Sequence, residues 1–214
     1  MAKGMTERSD KWEQFMKSAI LEGVVSVLTT EGADGLTMQR VAREAGVAKG
    51  TVYTYFENKE QLLKAALQAS VEPLTSSLHA ILDDQNQTVT EKLSQVIRIT
   101  LTYFEEHRDT FRVLLHERHK LLGKKSYQKS SHYRKLIEHI GQVVSEGIAQ
   151  GIIRSRDPQK IATMLLGATV FMIHNRLFTK DSGSLEDDHA LVCTIFFQGI
   201  QTGAGQGLSD AGSL

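Results

Sequence analysis

The sequence predicts an all-α fold of about nine helices, and three observations carry that expectation. Apolar residues recur at three- and four-residue steps along most of the chain. β-branched alternation is rare. Only two prolines, Pro73 and Pro158, interrupt 214 residues. At 41% hydrophobic the chain can bury a sizeable core. Its length suits one large domain or two small ones.

The first helix carries Trp12, Phe15, Met16, Ala19, Ile20, Gly23, Val24, Val27 and Leu28 on one stripe. Ser9 or Asp10 can cap its start and Gly32 its end. Thr37 caps a short helix through Glu44, Gly46 breaks it in a left-handed turn, and residues 48 to 55 form the next short helix. Asn58 opens a fourth, about Lys59 to Ser70, with Gln61 in capping-box position. Pro73 marks a kink or junction, and residues 83 to 90 are a polar connection.

Thr88 and Glu91 form a second capping box, opening a helix to about Glu106. Further helices cover about 109 to 121 and 128 to 150, with the loop GKKS at 123 to 126 between them. Asp157 and Pro158 start a helix to about Phe178, proline standing at the first helical position. After the DSGS loop at 181 to 184, Ser184 caps a last helix to about Thr202. The expected organisation is a helix-turn-helix unit at 1–58, a ligand-binding and dimerisation bundle at 59–202, and a flexible glycine-rich tail at 203–214.

The stretch LTMQRVAREAGVAKGTVYTYFENK, residues 36 to 59, has the layout of a helix-turn-helix. A reading helix must be held from behind, which is the work expected of Val41, Ala45, Val47, Val52 and Phe56. Its outer face must offer donors and small groups to base edges. Lys49, Thr51 and the hydroxyls of Tyr53 and Tyr55 are donors, and Gly50 permits close backbone approach. Thr37 and Lys59 stand at helix N-termini, which favour phosphate. Within 36 to 59, Arg40, Arg43, Lys49 and Lys59 face only Glu44 and Glu57, a local balance of +2. So slight a charge argues for binding as a dimer.

These residues closely resemble the TetR family of bacterial transcriptional repressors. The likeness rests on Leu36-Thr37, Val41-Ala42, the Ala45-Gly46-Val47 turn, Lys49 through Tyr53, Tyr55-Phe56 and Asn58 through Leu62, with Ile20-Leu21 and Gly32 upstream. It covers about residues 12 to 67. Leu28 stands where the family often has Phe, and Ala33 where an aromatic is common. The resemblance implies DNA contacts at Thr37, Gln39, Lys49, Gly50, Thr51, Tyr53, Tyr55 and Lys59. Gln39 and Lys49 fall where family members touch bases; Thr37, Tyr53, Tyr55 and Lys59 fall where they hold phosphates. It further implies a homodimeric repressor of a palindromic operator, released by a small-molecule effector.

Beyond residue 70 the sequence is less legible. Residues 161 to 178 are apolar nearly all round, as for a helix buried on two sides. Together with Ala190 to Phe197 they suit a four-helix dimer seam, which Gly167 and Ala168 would let close up. Tyr103, Phe104, Phe111, Phe171 and Met172 are candidate linings of a ligand pocket, with His174 and Asn175 as its polar groups; plain core is the competing reading. Basic residues from Arg112 to Lys135 suit an anionic ligand such as an acyl-CoA, or simply a solvated face, the reading preferred here. His116-Glu117-Arg118-His119 lacks the spacing of a zinc motif.

No nucleophile elbow, Walker loop or GxGxxG occurs, so neither an enzyme nor a cofactor is expected. The N-terminus lacks an apolar signal region. The apolar run from Ile161 to Ile173 falls short of the ~20 residues of a bilayer span. Cys193 is a lone cysteine in ALVCTIFF, a small buried hydrophobe in a reducing compartment. A cytoplasmic protein with no membrane partner follows. Net formal charge is zero, so any DNA binding must be local. The competing functions are a DNA-binding activator or global regulator, and an α-helical small-molecule binder or enzyme.

Overall fold

The structure is a computed structural model that describes residues 2–122, 131–154, 156–179 and 183–200. Among these residues the chain forms nine helices: α1 (Ala2–Gly35), α2 (Met38–Glu44), α3 (Lys49–Tyr55), α4 (Lys59–Asp83), α5 (Val89–Glu106), α6 (Arg108–Leu122), α7 (Ser131–Ala149), α8 (Pro158–Phe178) and α9 (Leu185–Ile200). The expected loop at 123 to 126, part of that at 181 to 184 and the tail lie outside the described residues.

The caps predicted at Thr88, Asp157 and Ser184 form. Thr88 Oγ1 accepts from the Glu91 amide at 3.3 Å while the Thr88 amide donates to Glu91 at 2.8 Å. The Thr88 amide, and then the Thr88 hydroxyl at 2.7 Å, hold the Glu91 carboxyl below its usual pKa. The Asp157 carboxylate accepts from the amides of Gln159 and Lys160, and the Ser184 hydroxyl from that of Asp187 at 3.1 Å. Each satisfies amides that a helix start leaves without partners.

Two expectations about element bounds are corrected. The first helix begins at Ala2, before the proposed caps, and its break at Gly32 is real: φ there is 69° inside a helix that resumes to Gly35. The fourth helix runs through Pro73 to Asp83. Proline removes one ladder hydrogen bond and costs ~3 kcal/mol inside a helix. Leu74, Leu78 and Leu82, all buried, continue the inner stripe past it, and burying each side chain is worth ~1.5–3 kcal/mol.

The chain divides into two compact units: Met1–Thr75 with Phe104–Ser130, and Ser76–Tyr103 with Ser131–Leu214. This differs from the division expected at residue 58. The first unit also takes the start of α4, because Leu62, Leu63 and Ala66 join its core, and α6, whose Leu114 is fully buried there. Its remaining core comes from Ile20, Val24, Val27 and Leu28 of α1, Val41 and Ala42 of α2, Val52 of α3, and Phe56.

In the second unit α7 packs along α8, and α9 packs on α8. The last turn of α4 is tied in twice. Buried Lys92 donates its ammonium to the Leu82 carbonyl at 2.9 Å, a cation at a helix C-terminus. His139 lies 2.7 Å from His79 through their Nδ1 atoms and 3.1 Å from Asp83 through Nε2. Cys193 is half-buried, 3.4 Å from His189 Nε2 and 3.6 Å from the Ser94 hydroxyl. Burial pushes its thiol above the ordinary range. Arg98 meets Glu186 through both guanidinium nitrogens at 2.6 and 3.0 Å.

The expectation that the apolar run is too short to cross a bilayer is also corrected. Pro158–Phe178 is long and apolar enough by length and composition. It nevertheless carries Arg176, whose side chain is 7% exposed and whose Nη1 is 2.6 Å from the Asp188 carboxylate of α9. Removing one partner of a buried pair strands the other charge and costs ~3–5 kcal/mol. Arg176 also donates to the Gly183 carbonyl at 3.4 Å, so Asp188→Ala is expected to lower the unfolding free energy by ~1.5–3 kcal/mol, the worth of a hydrogen bond to a charged group. An unchanged midpoint in urea unfolding would show that the pair contributes nothing.

Candidate nucleic-acid interface

The reading motif is built by local rules. The Thr37 hydroxyl accepts from the Arg40 amide at 3.1 Å and starts α2. α2 ends at Ala45, and Gly46 follows at φ 67°, a left-handed backbone that any Cβ disfavours. The Val47 amide returns to the Ala42 carbonyl at 2.9 Å, closing the turn. Ala48 then begins α3 with no side-chain cap. On the far side, Asn58 accepts from the Gln61 amide at 2.9 Å, and the Gln61 side chain reaches back to the Glu57 amide at 3.1 Å.

α1 holds this motif from behind at very short range. A Cβ on Gly23 would lie 3.2 Å from the Ala45 amide nitrogen and 3.3 Å from the Val41 carbonyl. A Cβ there would be tighter than ordinary packing, so glycine suits this close approach. Val41, Val52 and Phe56 are buried, and Ala45 and Val47 are packed against the same core, as the sequence predicts for the backing residues.

The outer surface carries most of the residues singled out by sequence. Thr37 and Gln39 are exposed around α2, and Lys49, Gly50 and Tyr53 along α3. Open space surrounds the position of a Gly50 Cβ. The Lys49 ammonium sits 5.8 Å from the Tyr53 ring centre, within reach of a cation–π contact. Thr51 and Lys59 are half-buried. Thr54, which sequence reasoning passed over, is exposed beside Tyr53, with its hydroxyl bonded to the Gly50 carbonyl at 3.0 Å.

Tyr55 is placed differently from Tyr53. Residues two apart on a helix do not share a face, and the Tyr55 ring packs against the unit's core, so its ring is a packing group and its hydroxyl alone is left for a ligand. Lys17 of α1 lies 5.8 Å from the Tyr55 ring centre. Arg40 also serves structure. It binds Glu31 at 2.6 Å through Nε and Glu44 at 3.4 Å, and the Arg40 bond holds the Glu31 carboxyl below its usual pKa.

The candidate pocket residues are divided between the two units. Phe104 and Phe111 belong to the first unit, where Phe111 is fully buried and the ring centres are 4.3 Å apart. Tyr103, Phe171, Met172, His174 and Asn175 belong to the second. Tyr103 and Met172 are half-buried, and burial raises the Tyr103 hydroxyl above its ordinary pKa. Phe171 is 75% exposed, and His174 and Asn175 are exposed beside it. These three stand on the outside of α8 within their unit. A helix apolar on every side gives no sequence signal of which side faces inward. Of the HERH stretch, exposed His116 is the one side chain described. Among the described residues no group of three metal-ligating side chains occurs. Of the basic stretch, Arg112 pairs with Asp109 at 3.5 Å, Arg134 and Lys135 are exposed, and Arg118 to Lys129 lie outside the described side chains.

Residues 20–66 match the family model for bacterial regulatory proteins of the tetR family, and residues 86–174 match a tetracyclin repressor-like C-terminal domain. The chain belongs to the TetR family of transcriptional regulators. It is 27% identical over 171 residues to the HTH-type transcriptional regulator YhgD of Bacillus subtilis, spanning 73% of this chain and 82% of that one. Two solved structures share the fold. FadR of Bacillus subtilis, in complex with stearoyl-CoA, has a TM-score of 0.71 at 21% identity, over 86% of this chain and 99% of that one. AibR, in complex with isovaleryl coenzyme A and operator DNA, has a TM-score of 0.61 at 23% identity, over 85% and 98%. This TetR-family chain thus carries a DNA-binding domain and a ligand-binding domain.

Because open space surrounds the position of a Gly46 Cβ, Gly46→Ala isolates the backbone cost. It is expected to destabilise the protein by ~1–2 kcal/mol, read by thermal melting followed by circular dichroism. An unaltered melt would show that the turn accepts a Cβ without strain.

Proposed function

We propose that this TetR-family regulator is a homodimeric repressor, that its two α3 helices read the halves of a palindromic operator, and that a small-molecule effector releases it. The observation that carries the dimer is the uncovered apolar surface of the last two helices. Met164, Phe171 and Phe178 of α8 are 70%, 75% and 43% exposed, and Leu191 and Ile195 of α9 are 49% and 67% exposed. Large side chains grouped this way on consecutive helices mark a protein interface. A twofold axis through it makes the surface self-complementary and presents two reading helices about 34–36 Å apart, one turn of DNA. The modest charge of the motif supports the same reading. With Arg40 bound to Glu31 and Glu44, one copy neutralises few phosphates.

Acyl coenzyme A thioesters are the first effector class to test, since FadR and AibR were each solved with one. Relief of repression needs a thioester that binds the released conformation better than the DNA-competent one. A coupling of ~1–3 kcal/mol weakens operator binding about 5–150-fold. The chain acts by binding alone and turns nothing over.

Gel shifts on the promoter beside the protein's own gene test the reading surface. Lys49→Ala is expected to cost ~1–3 kcal/mol if Lys49 meets a base, and Tyr53→Phe ~1 kcal/mol if its hydroxyl meets a phosphate. Unchanged affinity in both variants would sink the assignment of this surface. Sedimentation velocity tests the seam. Phe171→Asp with Ile195→Asp is expected to convert a dimer to a monomer and to abolish operator binding at concentrations that saturate the unmodified protein. A double variant that stays dimeric removes the proposed seam.

A further inference from the structure

Beside the reading helix lies a cleft of about 340 Å³, in the first unit. Lys17 of α1 stands on one side. Lys64, Gln61 and Gln68 of α4 stand on the other, Tyr55 forms the wall at the end of α3, and Phe56 lies beneath. We infer that this cleft grips the DNA backbone just outside the base pairs read by α3, with the ammonium groups of Lys17 and Lys64 and the Tyr55 hydroxyl holding a phosphate. The inference rests on the proposed DNA-binding function and extends its contact surface to α1 and the body of α4.

Four features support it. First, the reading motif is short of available cations, because Arg40 is bound to Glu31 and Glu44. Second, the cleft supplies cations that the motif lacks. Lys64 is exposed and has no acidic partner among the described residues. Lys17 pairs with Glu13 at 2.6 Å, but both side chains are about half exposed, 45% and 51%. A helix pair four residues apart is worth only ~0.3–0.5 kcal/mol, so a phosphate can draw Lys17 away. Third, the Tyr55 hydroxyl makes no hydrogen bond among the described residues, and Tyr55 ends the reading helix itself. The Gln61 amide, by contrast, is bonded to Glu57 through both its oxygen and its nitrogen.

Fourth, the balance of charge selects the occupant. Glu13, paired with Lys17, and Glu57, bonded to Gln61, offset the two lysines, so the cleft has no net charge to concentrate a free small anion. A phosphate already brought in by a docked duplex needs no such concentration, because binding elsewhere on the strand supplies it. The apolar floor of Phe56 and Ala65 suits the sugar next to that phosphate.

The test is a salt series of fluorescence anisotropy titrations, on operator and on scrambled duplex, with the full-length protein. Lys17→Gln and Lys64→Gln are each expected to lower the slope of log affinity against log salt by ~0.9. The double variant should lose about twice that, and the loss should be equal on both duplexes. Glu13→Gln, which frees Lys17, is expected to tighten binding to both duplexes. Lys135→Gln, an exposed lysine of the other unit, serves as the control and should change neither. Thermal melts confirm that each variant is folded. An unchanged slope in a folded double variant, while the unmodified protein prefers operator, overturns the cleft and leaves the regulator reading intact. If the unmodified protein shows no preference for operator over scrambled duplex, the regulator reading fails and this inference with it.

Discussion

The backbone of α1 touches the backbone of the turn between α2 and α3, and the rest of the DNA-binding unit is arranged around that contact. At Gly23 the two segments are so near that a methyl group would crowd the Ala45 nitrogen and the Val41 carbonyl at 3.2 and 3.3 Å. The reading helix is only seven residues long, too short to be stable alone. It takes its rigidity from Val52 and Phe56 below and from the turn before it. The fit also explains why α1 and α4 both donate core residues. A short helix needs a floor wider than itself.

The same junction decides what the charged groups can do. From sequence Arg40 counts toward the positive charge of the motif. In the fold it bridges Glu31 at the end of α1 to Glu44 at the end of α2. Ser26 adds a hydrogen bond to Glu44 at 2.6 Å. The cation therefore braces the scaffold. A count of charges along a segment overstates the positive potential available to a ligand wherever a cation is already paired across the fold.

Much of this was legible in the sequence. Caps and turns obey short-range rules, so Thr37, Gly46, Asn58, Thr88, Asp157 and Ser184 could be placed from their neighbours alone. The outward residues of the motif could be placed because its inner face is marked by valine and phenylalanine. What was missed depends on contacts between distant residues. Pro73 reads as a stop, yet the four-residue recurrence of Leu74, Leu78 and Leu82 carries the helix beyond it. Tyr55 reads as an outward donor, yet its ring is half core. Phe171 reads as a pocket lining, yet α8 has no polar side to show which way it faces. α6 lies far from the motif in sequence and still fills its core with Leu114. The tie from His79 to His139 spans sixty residues and leaves no local signature.

The two glycines at the junction also shape how this gene can vary. Glycine is encoded by codons whose first two bases are both guanine. Any single change at either base installs a residue with a Cβ or a stop. At Gly46 the new side chain meets a left-handed backbone, and at Gly23 it crowds the backbone of the turn, which must shift by a few tenths of an ångström to admit it. Single-base missense alleles at these two codons therefore reach the DNA-binding function without touching a residue that faces DNA. In a screen for loss of regulation they should stand beside changes on the reading helix itself. Neighbouring surface codons of α1 and α2, which have room for most substitutions, should remain silent.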